Sequence, residues 1–287
     1  METSELLKKV RKIEIKTKRL TNNLFTGHYH SAFKGKGMLF SEVRKYVPGD
    51  DVRDIDWNVT AKLSEPYIKI FEEERELTMM LMVDVSSSEF FGSSGLLKKE
   101  LITEICAVLS FSAMQNNDKV GLIFFTDEIE LFIPPKKGKK HILRIIRELI
   151  NFTPNSNKTN ISKAFQYLNN VVKKKSIVFM LSDFIDDKFD NSVRLIAKKH
   201  DLTGIRVFDK FEEKVFSMGL NLFYDTENEL YQWIDTSDPK VRNKIQQKYN
   251  QRLEYFRNTF LKSGASIVNM STQESYIKKL LELFKSK

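Results

Sequence analysis

Short apolar runs alternate with stretches of helical period from Leu77 to the C-terminus. Leu202–Val207 reads as a strand, and Leu77–Val83, Val120–Phe125 and Ser176–Leu181 have strand length and lack the polar alternation of a half-wet sheet. That is the pattern of parallel strands buried on both faces. Ile129–Ile133 reads as a further strand stopping at Pro134-Pro135, and Ser266–Met270 as another. Between them, Leu96–Met114, His141–Ile150, Ile161–Val172, Val241–Leu261 and Glu274–Phe284 repeat apolar positions at helical spacing. Strands alternating with helices of this length predict an α/β fold, doubly wound, with a mostly parallel sheet and helices on both faces. Residues 1–76 read differently. Leu6, Leu7, Val10, Ile13 and Leu20 among lysines predict a basic amphipathic helix over residues 2–22. An irregular stretch follows over 23–40, then a strand-like piece from Val43 ending in the turn signal Pro48-Gly49-Asp50, and an extended segment over 66–76. The expected organisation is an N-terminal accessory segment, 1–76, and an α/β domain, 77–287.

Composition narrows the setting. A chain of 287 residues, 41% hydrophobic, can bury roughly 75% of its unfolded surface and needs no disulfide or structural metal to fold. The one cysteine, Cys106, falls in the apolar period Leu101, Ile102, Ile105, Leu109 and reads as a core thiol. A lone cysteine also fits a reducing compartment. Met1–Lys12 has no apolar signal region, and no run approaches the roughly 20 apolar residues that span a bilayer. The expected location is the cytoplasm. The net charge of +9 admits an acidic partner. The basic clusters Lys8–Arg19, Lys136–Lys140 and Lys173–Lys175 are dispersed and carry no nucleic-acid recognition motif. His28 and His30 have no third nitrogen or sulfur ligand nearby and read as loop residues; His141 and His200 stand beside lysines and are expected to face solvent.

The informative segment is Val83-Asp84-Val85-Ser86-Ser87-Ser88, directly after an apolar strand and before a helix. Ligands of open α/β sheets sit at the carboxyl ends of strands. There a carboxylate and hydroxyls two and four residues on can aim three oxygens at one point, a set suited to a hard cation such as magnesium. Asp183, after the strand Ser176–Leu181, should emerge on the same edge; its plainer role is a helix N-cap. Thr159 precedes a helix and can reach that edge as well, or serve as an ordinary loop or cap residue. Phe90 and Phe91, just after the loop, read either as cover for the next helix or as an apolar rim that a partner contacts.

Asp84, Ser86, Ser88, Thr159 and Asp183 resemble the metal-ion-dependent adhesion site of von Willebrand factor A domains. The resemblance implies that these five hold magnesium, with calcium or manganese as alternatives, and that a carboxylate from a partner protein fills the open metal position. Glu89 departs from the apolar residue usual after the last serine. A second resemblance covers more of the chain. Arg44, Tyr46, Gly49, Asp50, Asp51, Arg53, Asp56 and Trp57 form a run similar to the signature of domain-of-unknown-function 58 proteins, and Pro66-Tyr67-Ile68-Lys69, Asp118-Lys119-Val120-Gly121 and Ser182-Asp183-Phe184 fit the same pattern. Members of that family are commonly encoded beside MoxR-type AAA+ ATPases. The resemblance therefore implies an adaptor for such an ATPase in assembling or activating client proteins. The alternating charges Arg44, Asp50, Asp51, Arg53, Asp54 and Asp56 predict an ion-pair network acting as a structural clamp, with Trp57 anchored in apolar contacts.

Enzyme readings fare worse. Haloacid-dehalogenase-like phosphatases need a second aspartate two residues after the first, and position 86 is Ser. No phosphate-binding Gly-rich loop and no nucleophile elbow is present. The expectation is a metal-dependent protein-binding adaptor and not an enzyme. A basic nucleic-acid-associated protein is the alternative, and a magnesium-dependent hydrolase a more distant one.

Overall fold

The central strands of the large sheet form where the sequence runs nearly uninterrupted apolar, as in Met79–Val83, Leu122–Phe125 and Ile177–Leu181. A computed structural model describes residues 10–15, 39–72, 76–86, 97–209, 216–225 and 230–286. The chain divides into two compact units, Lys34–Leu77 and the remainder.

In the smaller unit, β1 (Leu39–Lys45) pairs antiparallel with β2 (Tyr67–Glu72), and α1 (Trp57–Leu63) lies between them in sequence. The charged signature does local work here. Arg44 donates to both oxygens of Asp50 at 2.8 and 2.7 Å, and Asp50 also accepts from the Val47 N–H. Those bonds, Arg44 first, hold the Asp50 carboxyl below its usual range. They close a turn in which Gly49 takes φ 111°, a conformation open to glycine. Asp51 accepts from Arg53 N–H at the 3-10 turn Val52–Asp54, and Asp56 caps α1 through Asn58 and Val59. The expected single network is thus three separate pairs, Arg44–Asp50, Arg53–Asp51 and Lys69–Asp56. The acids are occupied by backbone N–H groups that need caps. Trp57 is also corrected: at the first position of α1 it is 67% exposed, not anchored in apolar contacts.

The larger unit is built on a six-stranded sheet. Its strands are β3 (Thr78–Asp84), β4 (Lys119–Phe125), β5 (Ile129–Lys136), β6 (Ile177–Ser182), β7 (Asp201–Phe208) and β10 (Ser266–Ser271), in the order β10-β7-β6-β3-β4-β5. All neighbours are parallel except β5, antiparallel to β4. β5 runs through Pro134 and Pro135 where the sequence suggested it would stop. As an edge strand with one neighbour, it tolerates residues that cannot donate to a ladder. The helices are α2 (Lys98–Gln115), α3 (Lys139–Asn151), α4 (Ile161–Val171), α5 (Asp190–Lys199), α6 (Pro239–Lys262) and α7 (Tyr276–Ser286). A two-stranded hairpin, β8 (Leu220–Asp225) and β9 (Leu230–Asp235), precedes α6.

Alternate positions of the strands face two cores. Met80, Met82, Val178 and Met180 join Phe165 and Leu168 of α4, Val193 and Ile196 of α5, and Phe256 and Phe260 of α6 in one cluster. Gly204 sits on this face because a Cβ there would come within 2.6 Å of the Phe260 ring. Across the sheet, α2 is buried nearly all round, from Leu101 through Ala113, as a helix sandwiched between layers must be. Cys106 lies inside it, fully buried, and burial pushes its thiol up out of the reactive range. His200 also departs from expectation. It ends α5, is 2% exposed, and its Nδ1 accepts from the Ser176 N–H. Burial, then Lys199, lowers its pKa to about 4, which keeps the ring neutral. His141 is half-buried, its Nε2 2.8 Å from the Val120 carbonyl.

Candidate functional site: a carboxylate pair at the switch point

Strand order reverses between β3 and β6: from β3 the chain proceeds to β4 and β5 on one side, and from β6 to β7 and β10 on the other. Ligands of open α/β sheets bind at such a point, outside the carboxyl ends of the strands. Asp84 ends β3 and Asp183 follows β6, so the two carboxylates flank it. They are 1% and 5% exposed.

Each carboxylate is held from several sides. Asp84 Oδ2 accepts from Ser182 Oγ at 2.7 Å, Oδ1 accepts from Ser86 N–H at 3.0 Å, and the Ser86 hydroxyl also bonds to it. Ser182 Oγ in turn accepts from Phe184 N–H. Asp183 Oδ1 accepts from Ile185 N–H in a local turn, and Oδ2 receives the Lys98 ammonium at 3.3 Å. Asp183 is therefore no helix cap, since α5 begins only at Asp190. Thr159 is half-buried and makes no hydrogen bond among the described residues. Its loop is tied to the same edge: Asn160 N–H donates to the Thr126 carbonyl after β4, and Ile161 N–H to Asp186 Oδ2. Asn160, rather than Thr159, caps α4. Ser88, Phe90 and Phe91 lie outside the described residues, as do His28 and His30.

Two neighbours of the pair had no role at the site assigned from the sequence. Ser182 entered only within the run Ser182-Asp183-Phe184 that fits the family pattern. Lys98 looked like one more lysine, yet it is fully buried. One signal was available: Lys98 opens α2, and a cation at a helix N-terminus opposes the macrodipole, so a specific anion must repay it.

Burial, then the Asp183 charge, raises the pKa of Asp84 to about 7 against the opposing bonds from Ser182 and Ser86. Asp84 thus holds its proton more tightly in the folded state than in the unfolded. Its contribution to stability is complete below its ordinary value of 3.8 and is lost as pH rises through about 7. Asp84→Asn is expected to remove that slope and to unfold at higher urea than the parent at pH 8. An unchanged slope would show that another group titrates.

The donor set is all oxygen: two carboxylates that repel one another, the Ser86 hydroxyl, and Thr159 on the adjoining loop. That chemistry fits a hard divalent cation completed by water. Among the described residues no cluster of three or more His, Cys, Asp or Glu could hold a metal, so hydroxyls would have to contribute.

The family model described as protein of unknown function DUF58 matches residues 42–255. The chain belongs to the DUF58 family. An uncharacterized protein of Mycobacterium tuberculosis is 23% identical over 281 residues, covering 97% of this chain and 88% of that one. The crystal structure of the conserved hypothetical protein BatB from Bacteroides thetaiotaomicron superposes with a TM-score of 0.50 at 12% identity, over 73% of this chain and 98% of that one. At that identity the likeness is one of fold. The SpRpn10 VWA domain is also similar, with a TM-score of 0.42 and 9% identity over 73% of this chain and 95% of that one. The DUF58 chain has the α/β architecture, a mostly parallel sheet with helices, that its sequence pattern led us to expect. No helix among its described residues is long and apolar enough to cross a membrane.

Proposed function

We propose that the Asp84–Asp183 edge is a protein-binding site, in which a divalent cation bridges this chain to an acidic side chain of a partner. The observation that carries the reading is the buried, mutually repelling carboxylate pair at the switch point, with an uncommitted Thr159 hydroxyl on the neighbouring loop. When bound, magnesium, or calcium or manganese in its place, supplies a positive centre with a position open to a carboxylate oxygen. Asp84, Ser86 and Asp183 would hold it, with Thr159 and Ser88 completing the set. Ser182 fixes the Asp84 carboxylate by its hydrogen bond, and Ile185 N–H orients Asp183. An exposed apolar face on the hairpin supports a protein partner: Leu222 lies opposite Trp233, 47% and 64% exposed, and such patches mark interaction surfaces. The first partner to test is a MoxR-type AAA+ ATPase.

Asp84→Asn is expected to abolish metal-dependent capture of that ATPase while the far-ultraviolet circular dichroism stays that of the parent. Capture that survives both the substitution and excess chelator would sink the reading. Should binding instead fall steeply with moderate salt and ignore chelator, the +9 charge and a nucleic acid would be the better account.

A further inference from the structure

Beside Asp183, between the end of β7 and α6, lies a cleft of about 170 Å³. Arg206, Lys248, Tyr249 and Arg252 line it with Leu253 and Phe256. Asp183 also lines the cleft, and that acid is paired with Lys98.

Arg206 is the unusual member. It stands opposite Ser182 in the strand register and is only 5% exposed. Its guanidinium lies 4.4 Å from the centre of the Phe208 ring and 5.3 Å from that of Tyr249, and donates to the Tyr249 hydroxyl. Among the described residues no carboxylate pairs with it. A guanidinium has five N–H donors in a planar fork, and burying that charge without an anion is costly. Ring stacking leaves the in-plane N–H groups for an acceptor, and the planar acceptor they match in two places is a carboxylate.

We propose that this cleft receives an acidic side chain of a partner protein, flanked by apolar residues that rest on Leu253 and Phe256. Size decides against a nucleotide: the volume falls below the roughly 300 Å³ at which sites for drug-sized ligands begin, and is enough for one side chain. Exposed Lys248 and half-buried Arg252, whose charge also acts on Asp186, line the cleft and add attraction for the same charge. The inference rests on the protein-binding reading only for the kind of molecule that brings the carboxylate. It places a second acidic contact one strand away from the first.

The test uses the full chain in excess chelator, with a short fluorescein-labelled peptide carrying glutamate between leucines, followed by anisotropy. Saturable binding is expected, with the glutamine version of the peptide about tenfold weaker or worse, the cost of one charge-assisted pair. Arg206→Met and Arg252→Ala should each weaken the glutamate peptide by about tenfold. Arg252 is half-buried on α6, so its variant tests the cleft even if Arg206→Met fails to fold. The proposal is overturned if the two peptides bind alike, if the Arg252 variant binds as the parent does, or if inorganic phosphate displaces the peptide more effectively than acetate. Loss of ATPase capture in Asp84→Asn alongside failure of the peptide would leave the edge reading standing and remove the cleft. The converse pair of results would do the opposite.

Discussion

Lys98→Met is expected to destabilise the larger unit by about 3–5 kcal/mol, the cost of removing one partner from a buried ion pair. The ammonium is fully buried and 3.3 Å from Asp183 Oδ2. Methionine fills nearly the same volume, so the loss is electrostatic rather than a cavity. It leaves Asp183 buried beside Asp84 with no compensating charge. Urea unfolding at neutral pH measures the loss, and Asp183→Asn in the same chain should recover much of it, since the double variant has no stranded charge. A Lys98→Met chain within 1 kcal/mol of the parent, or no recovery in the double variant, would show that the pair is not the counterbalance it looks like.

The same substitution bears on the cation. In the parent, Lys98 already supplies one positive charge to the pair, and a divalent ion competes with it for Asp183. With Lys98 gone, millimolar magnesium should raise the unfolding midpoint of the variant more than that of the parent, because a ligand bound only by the folded state stabilises it in proportion to its affinity. Asp183→Asn in the Lys98→Met background should remove that gain.

Periodicity made the sheet and most of its helices legible, because β3, β4 and β6 are buried on both faces and run almost wholly apolar, and β7, though Thr203 and Arg206 interrupt it, keeps enough apolar residues to read as a strand. The elements that escaped are those whose pattern is broken or unburied. In α5, Val193 and Ile196 carry the buried face among charged and polar neighbours, too few for a clear period. In β8 and β9 the alternation is present, but its apolar side faces solvent, where no core confirms it. Asp84 and Asp183 could be read because a strand-end carboxylate has a geometric meaning in an α/β sheet. Lys98, Ser182 and Arg206 could not. Their roles come from neighbours dozens of residues away: Ser182 reaches Asp84, Lys98 reaches Asp183, and Arg206 reaches Tyr249. Trp57 and His200 fail for a related reason. A side chain's local company says little about which side of its element meets the core.

Phe184 joins the core to the site, and its replacement is the second change expected to be large. Phe184→Ala should cost about 3–5 kcal/mol, the range for deleting a buried aromatic ring. The ring is 2% exposed, stacks on Phe256 at 4.1 Å and 26°, and meets Phe260 edge-on at 5.3 Å. Yet the backbone there is left-handed, φ 59°, which costs a non-glycine residue about 1–2 kcal/mol. Phe184→Gly should therefore be no less stable than Phe184→Ala, although glycine loses one more carbon, because relief of that strain offsets about 0.5–1 kcal/mol of extra chain entropy. Urea unfolding of the two variants decides it: a glycine variant well below the alanine one would mean that the left-handed turn carries no strain. The turn also sets Asp183, since Phe184 N–H is fixed on Ser182 Oγ. If the ring holds the carboxylate against Lys98, the cost of Lys98→Met should shrink in the Phe184→Ala background. Strictly additive losses would mean that the Phe184–Phe256 stack stabilises the core alone and leaves the carboxylate pair to its own hydrogen bonds.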